Sequence, residues 1–236
     1  MRNLCLGLCA LFTSSVMAPM WVFAEGPISV IVSPSPQAKH NTCQSYALAY
    51  ALSSVSGSQY NIQTAAQLRV LELDLRNKIN AIAKTRGKSP LNHSVWTEAV
   101  EVYTSNNLRL VRKEFPDIIS LMVKAAEITG VSNAETLGPV FASIAVKKPV
   151  LTSVTAIDGD AYDGHIVSIL GISGGGMNSQ TKILTLNPAI KTPSAFKNAC
   201  DPGDMPGDYK YSAAATLTSH FTLKPFDGKF MLMWVE

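Results

Sequence analysis

The chain has 236 residues, 47% of them hydrophobic and 16% charged, with 20 Lys+Arg against 17 Asp+Glu for a net charge of +3. That length suits one well-packed domain or a pair of small lobes sharing a cleft, and leaves little room for a second independent domain. A charge balance this small and this dispersed excludes a nucleic acid or an anionic membrane surface as a partner recognised by bulk charge.

In chain order, Arg2 is followed by the apolar stretch Leu4–Phe12 and then by small and apolar residues as far as Val22-Phe23-Ala24. A positive start, a short apolar run and small residues at its end read as a signal peptide, residues 1–24, cleaved after Ala24. No later segment is apolar enough to stop transfer, so residues 25–236 are expected to be secreted or periplasmic, soluble and monomeric, with no integral membrane association. Cys9 lies inside the apolar run instead of at its end, which argues against a lipid anchor. Of the four cysteines, Cys5 and Cys9 leave with the signal, and Cys43 and Cys200 are too few for a disulfide scaffold. A thiol kept in an oxidising compartment calls for a chemical reason.

The β-branched run Ile28-Ser29-Val30-Ile31-Val32 and the following Ser33-Pro34-Ser35-Pro36 read as a strand and a loop, since proline fixes φ and holds its predecessor extended. From Cys43 to Leu52 the chain is rich in Ala and Leu without Gly or Pro, which predicts a buried helix ending near Gly57. Leu68, Leu71, Leu75 and Ile79 recur on one face of a longer helix expected from Thr64 to Lys84. Further helices are expected at Ser94–Tyr103, at Pro116–Thr129, and at Asn133–Val146 with Asn133 as its cap. After Pro149 the composition turns to β-rich runs: Val150–Ala156, His165–Ile172, Lys182–Leu186, Ala215–Leu223 and Phe230–Val235. Gly174-Gly175-Gly176 reads as a hairpin tip, because no helix follows to make it a phosphate loop. The expected fold class is α+β, with a helical lobe over about 37–147 and an antiparallel β lobe over about 148–236.

Four residues carry candidate chemistry. Cys43 opens a helix, where unsatisfied N–H groups and the helix dipole favour the thiolate, the nucleophilic form. A cysteine in an Ala/Leu-rich helix also serves as plain core. His165 stands at the entrance of a strand, placed to take the thiol proton and return it to a leaving amine; the simpler role is a histidine satisfied in the turn before it. If the strands on either side of the glycines pair, Asn187 arrives beside His165 and orients its imidazole. Its simpler role is an Asn-Pro turn with Pro188. Gln37, six residues before Cys43, offers an amide to the oxyanion formed on attack at a carbonyl, beside the Cys43 N–H; otherwise it is solvated loop polarity.

The set Gln37-Ala38-Lys39-His40-Asn41-Thr42-Cys43, Gly164-His165-Ile166-Val167 and Leu186-Asn187-Pro188, with Pro149–Val154 ahead of the histidine, resembles the papain-like cysteine peptidases over most of the chain. The resemblance implies a two-lobe fold with the active site between the lobes, Cys43 as nucleophile, His165 as base and acid, Asn187 as orienter and Gln37 as oxyanion donor. It also implies a polypeptide substrate and no cofactor or metal. The chain departs from that family's pattern at several points, the cysteine pairs that brace many secreted relatives being absent as well. Thr42 and Gln44-Ser45-Tyr46 replace the usual Gly and Trp around the cysteine, Pro188-Ala189 stands where a Trp after the Asn is expected, and no long propeptide fits between Ala24 and Gln37.

The same residues would also serve an amidase on peptidoglycan or a transglutaminase-like transfer, because an acyl-thioenzyme is resolved by water or by an amine. A catalytically dead binding protein of the same fold is the reading from another class. His40, His93, His220 and Cys200 show no zinc spacing, and the carboxylates of Asn198–Asp204 lack that of a calcium loop. Cys200 is a candidate to bridge Cys43 under oxidation. Tyr46 and Tyr50 read as packing, and Asn92-His93-Ser94 is a glycosylation triplet.

Overall fold

The computed structural model describes residues 37–38, 42–55, 64–130, 148–157, 160–172, 178, 181–191 and 211–236. The expected signal peptide, the strand at 28–32, the helix at 133–146, the glycine tip, His40 and Cys200 lie outside these residues.

The fold is α+β. Helix α1 (Cys43–Ser53) is buried along its whole length after Cys43, as its Ala/Leu composition requires. Its hydroxyls survive burial by bonding backward: Ser45 Oγ donates to Thr42 O at 3.0 Å, and Ser53 Oγ to Tyr50 O at 2.7 Å. Helix α2 (Ala65–Arg86) starts from a capping box made by Thr64 and Gln67 and stops at Gly87, whose φ of 62° ends the helix in left-handed geometry. Helix α3 (His93–Tyr103) is capped by Asn92, which accepts from the Ser94 N–H; the glycosylation triplet is thus also a helix start.

Strand β1 (Leu110–Phe115) then appears in the half expected to be helical. Its side chains are too polar and too exposed to read as a core strand, and it is fixed instead by antiparallel pairing with the C-terminal strand. Helix α4 (Ile118–Thr129) follows, capped by Asp117 and ended by Gly130. Next come β2 (Val150–Ile157), β3 (Asp160–Ile172), β4 (Lys182–Lys191), β5 (Tyr211–Ser219), a 3-10 turn at His220–Thr222, β6 (Lys224–Pro225) and β7 (Phe230–Val235). His220 therefore sits in a turn and not in a strand as the sequence suggests. The strands form one antiparallel sheet in the order β1-β7-β2-β3-β4-β5, with β6 paired to β2.

Neighbouring residues of these strands alternate between two cores, as a pleat requires. Leu151, Ile166, Leu170, Leu184, Met231 and Met233 face α1, α2 and α3. Val150, Val167, Ile169, Ile183 and Leu232 join Leu121, Met122 and Ala125 of α4. Both faces of the sheet are covered, which is why its central strands are almost continuously apolar. The first core draws on both halves of the chain, and the candidate site forms where α1 meets β2 and β3.

Candidate active site

Cys43 is the first residue of α1 and is half-buried. Thr42 precedes the helix but does not cap it with its side chain, so no hydroxyl occupies the first-turn N–H groups from that position. The Cys43 Sγ lies 3.6 Å from Oε1 of Gln44, the next residue. Gln44, a polar residue one position beyond the helix start, carries no distinguishing signal in the sequence.

His165 is reached through an irregularity in β3. Val154 pairs with His165 while Ala156 pairs with Ala161, so three residues of β3 stand opposite the single Thr155 of β2. Gly164 makes this possible with φ +95°, a value rare for any side-chain-bearing residue. The bulge cancels the strict alternation of a strand and lets Tyr162 stack on His165, three residues away, with ring centroids 4.6 Å apart and planes at 19°. His165 is buried, and its Nε2–H donates to Asn187 Oδ1 at 2.8 Å; the Asn187 Nδ2 donates in turn to the Tyr162 hydroxyl at 2.9 Å. An amide oxygen can only accept, so Nε2 carries the proton and Nδ1 holds the lone pair of the neutral ring. Burial pushes the imidazole down to about 4, and the Asn187 hydrogen bond recovers only part of that.

Asn187 does not end its strand. β4 runs on to Lys191, and Pro188 is accommodated at a break in the pairing with β5 between Asn187 and Ile190. The Asn-Pro turn is therefore not formed. The Pro188 carbonyl instead accepts the Gln37 N–H at 3.0 Å, which sets the Gln37 backbone against β4 at the residue after Asn187. Gln37 is buried, not a solvated loop residue. On its other side, Ala38 N–H donates to both carboxylate oxygens of Glu72, at 2.8 and 2.9 Å. Glu72 lies on α2, is 1% exposed, and also receives the Thr42 hydroxyl. Nothing in the local sequence marks out Glu72 or Tyr162. A Glu within the run Leu71-Glu72-Leu73-Asp74-Leu75 looks like a solvated helix position, and only its partners on the 37–42 segment mark it out.

Cys43 and His165 line one cleft of about 80 Å³. Leu91, just ahead of α3, lines it with His93 and Trp96 from the first turn of that helix, and so do Ser153, Gly164, Ile166 and Phe226. The His93 and Trp96 rings meet edge to face at 4.5 Å, and Trp96 Nε1 donates to Pro90 O. Burial, then the Arg112 guanidinium, holds His93 down at about 4, so it is neutral at neutral pH. Among the described residues, the lining of the cleft beside the thiol is thus mainly apolar and carries no charged wall at neutral pH.

His220 lies apart from this site, buried, with Nδ1 against Thr181 O at 2.9 Å. Among the described residues no group of three or more His, Cys, Asp or Glu is placed to hold a metal ion, and no helix is long and apolar enough to cross a membrane. In comparisons with protein-family models, with curated proteins and with solved structures, nothing matches this chain.

Proposed function

We propose that the protein is an exported thiol-dependent peptidase with a papain-like, two-lobe arrangement, in which Cys43 attacks the peptide carbonyl. The observation that carries this reading is the pairing of a helix-opening cysteine with a histidine in one cleft, the histidine being held by an asparagine at 2.8 Å. In the proposed cycle, Nδ1 of His165 takes the thiol proton and the thiolate adds to the carbonyl. The imidazolium then protonates the leaving amine, and water, deprotonated by the same ring, releases the acid. Asn187 holds the ring by Nε2, so the imidazole presents Nδ1 throughout. Gln37 and the Cys43 N–H stabilise the tetrahedral oxyanion. The apolar cleft favours a substrate with an uncharged, apolar side chain near the scissile bond.

The test is labelling by an epoxide-type cysteine-protease inactivator, with the site read by peptide mass spectrometry in wild type and His165→Ala. Fast labelling of Cys43 that depends on His165 is expected, together with loss of peptide hydrolysis in a folded Cys43→Ala. Labelling no faster than that of a simple alkyl thiol, or equal in His165→Ala, would overturn the reading.

A further inference from the structure

Among the described residues, Glu72 is the carboxylate buried against the two ends of the segment that joins Gln37 to Cys43. A carboxylate 1% exposed is expensive to bury unless its oxygens are well supplied with donors, and here the donors come from the two ends of that segment. The Ala38 N–H, next to Gln37, bonds both oxygens, and the hydroxyl of Thr42, next to Cys43, bonds the same group. Thr42 is drawn away from capping α1 to do so. With the Gln37 N–H fixed on Pro188, the backbone at Gln37–Ala38 is held from both sides, by β4 and by α2.

We propose that Glu72 is a positioning residue for the oxyanion side of the Cys43 site, its ionised carboxylate holding Ala38 and Thr42 so that the Gln37 amide and the Cys43 N–H converge on one point. It touches no reacting atom. Protonation replaces an acceptor by a donor and loosens the segment, so turnover falls as pH drops through the titration of this group. Burial pushes that titration up to about 7, against the hydrogen bonds from Thr42 and Ala38 and the charges of Arg69 and Arg76, all of which lower it. Arg69 and Arg76 flank Glu72 on α2; α1, packed on α2, carries no charged residue, and Glu98 of α3 is taken by Arg86. His40, within the segment, is outside the described residues and needs its own control.

The kinetic arm rests on the peptidase reading; the structural arm does not. In ¹⁵N-labelled wild type the Ala38 amide resonance should shift with pH around a midpoint near 7. The shift should vanish in Glu72→Gln and persist in His40→Gln. At pH 8, kcat for a peptide amide should fall about tenfold or more in Glu72→Gln with KM little changed, because a small displacement of an oxyanion donor acts on the transition state. Alkylation of Cys43 by iodoacetamide, which builds no oxyanion, should keep its wild-type rate. An Ala38 amide indifferent to pH in wild type, a midpoint abolished by His40→Gln alone, wild-type kcat in Glu72→Gln, or alkylation slowed as much as turnover would each overturn the proposal. If Cys43 labelling proves independent of His165 the peptidase reading fails, while the Ala38 titration still decides whether Glu72 holds the segment.

Discussion

Tyr162 gives one side chain two tasks at His165: its ring covers the imidazole, and its hydroxyl accepts from the Asn187 amide and fixes which way that amide points. Without the hydroxyl, Asn187 is free to turn its Nδ2 toward His165, where an N–H would face an N–H. Tyr162→Phe is therefore expected to keep the fold and lower kcat several-fold, and Tyr162→Ala, which also uncovers the ring, to lower it further. Steady-state kinetics on the two variants would check the order, and a Tyr162→Phe indistinguishable from wild type would remove the hydroxyl from the mechanism. The His165 ring itself has a consequence for stability. Its folded value near 4 lies below the usual 6.5 of histidine, so between these values the unfolded chain binds a proton that the folded chain does not. Stability from this residue is complete above about pH 6.5 and is lost as pH falls through that window, by an amount on the order of 3 kcal/mol. Denaturant midpoints of wild type and His165→Gln at pH 7 and pH 5 would read it as a smaller acid loss in the variant.

At the scale of elements, the bulge in β3 decides whether Tyr162, His165 and Asn187 can meet. A Cβ on Gly164 would stand 2.6 Å from Phe226 Cε2, and φ there is +95°. Phe226 is 41% exposed and has room to move, so the cost comes mainly from the backbone. Gly164→Ala is expected to lose about 1–3 kcal/mol of stability, seen as a lower thermal midpoint, with a larger proportional loss of Cys43 labelling as the His165 side chain is re-aimed. At the start of α2, the capping box fixes where the helix carrying Glu72 begins. Thr64→Ala should cost about 1 kcal/mol with little effect on labelling, because Glu72 lies two turns further along.

Across the whole molecule, the sheet is sandwiched between α1–α3 and α4, and the residues of its central strands serve both cores in alternation. Leu151 is fully buried in β2, the strand between β7 and β3, so Leu151→Ala is expected to cost about 2–5 kcal/mol in a single cooperative unfolding transition followed by circular dichroism. Two non-coinciding transitions would mean that the helices and the sheet fold as separate units. Glu72 and the two cleft histidines, His165 and the half-buried His93, give the molecule opposed pH dependences. Between 4.5 and about 7 the folded chain holds a proton on Glu72 that the unfolded chain has released, so this residue withdraws stability as pH rises, while His165 and His93 withdraw it as pH falls.

What the sequence by itself determined were the features written in short-range patterns. The Ala/Leu run specified α1, the three- and four-residue spacing of leucines with Thr64 and Gly87 specified α2, β-branched runs specified β2 and the later part of β3, and the apolar run Phe230–Val235 specified β7, each within a few residues of where the structure has it. It also made the approach of Asn187 to His165 predictable, since antiparallel pairing of β3 with β4 sets residues at similar distances from the connection beside each other, although neither residue ends its strand. Tertiary structure alone decided β1, whose polar residues become a strand only by pairing with β7, more than a hundred residues away. It also decided the length of β4 through Pro188, which is tolerated because a break in the pairing needs no N–H there. Tyr162 and Glu72 belong with these: a bulge turns one toward His165, and burial against a distant backbone N–H ties the other to the chain ahead of Cys43. Local patterns fix which residues are apolar and which turns are allowed; they carry no information about which distant donor a buried polar group will find.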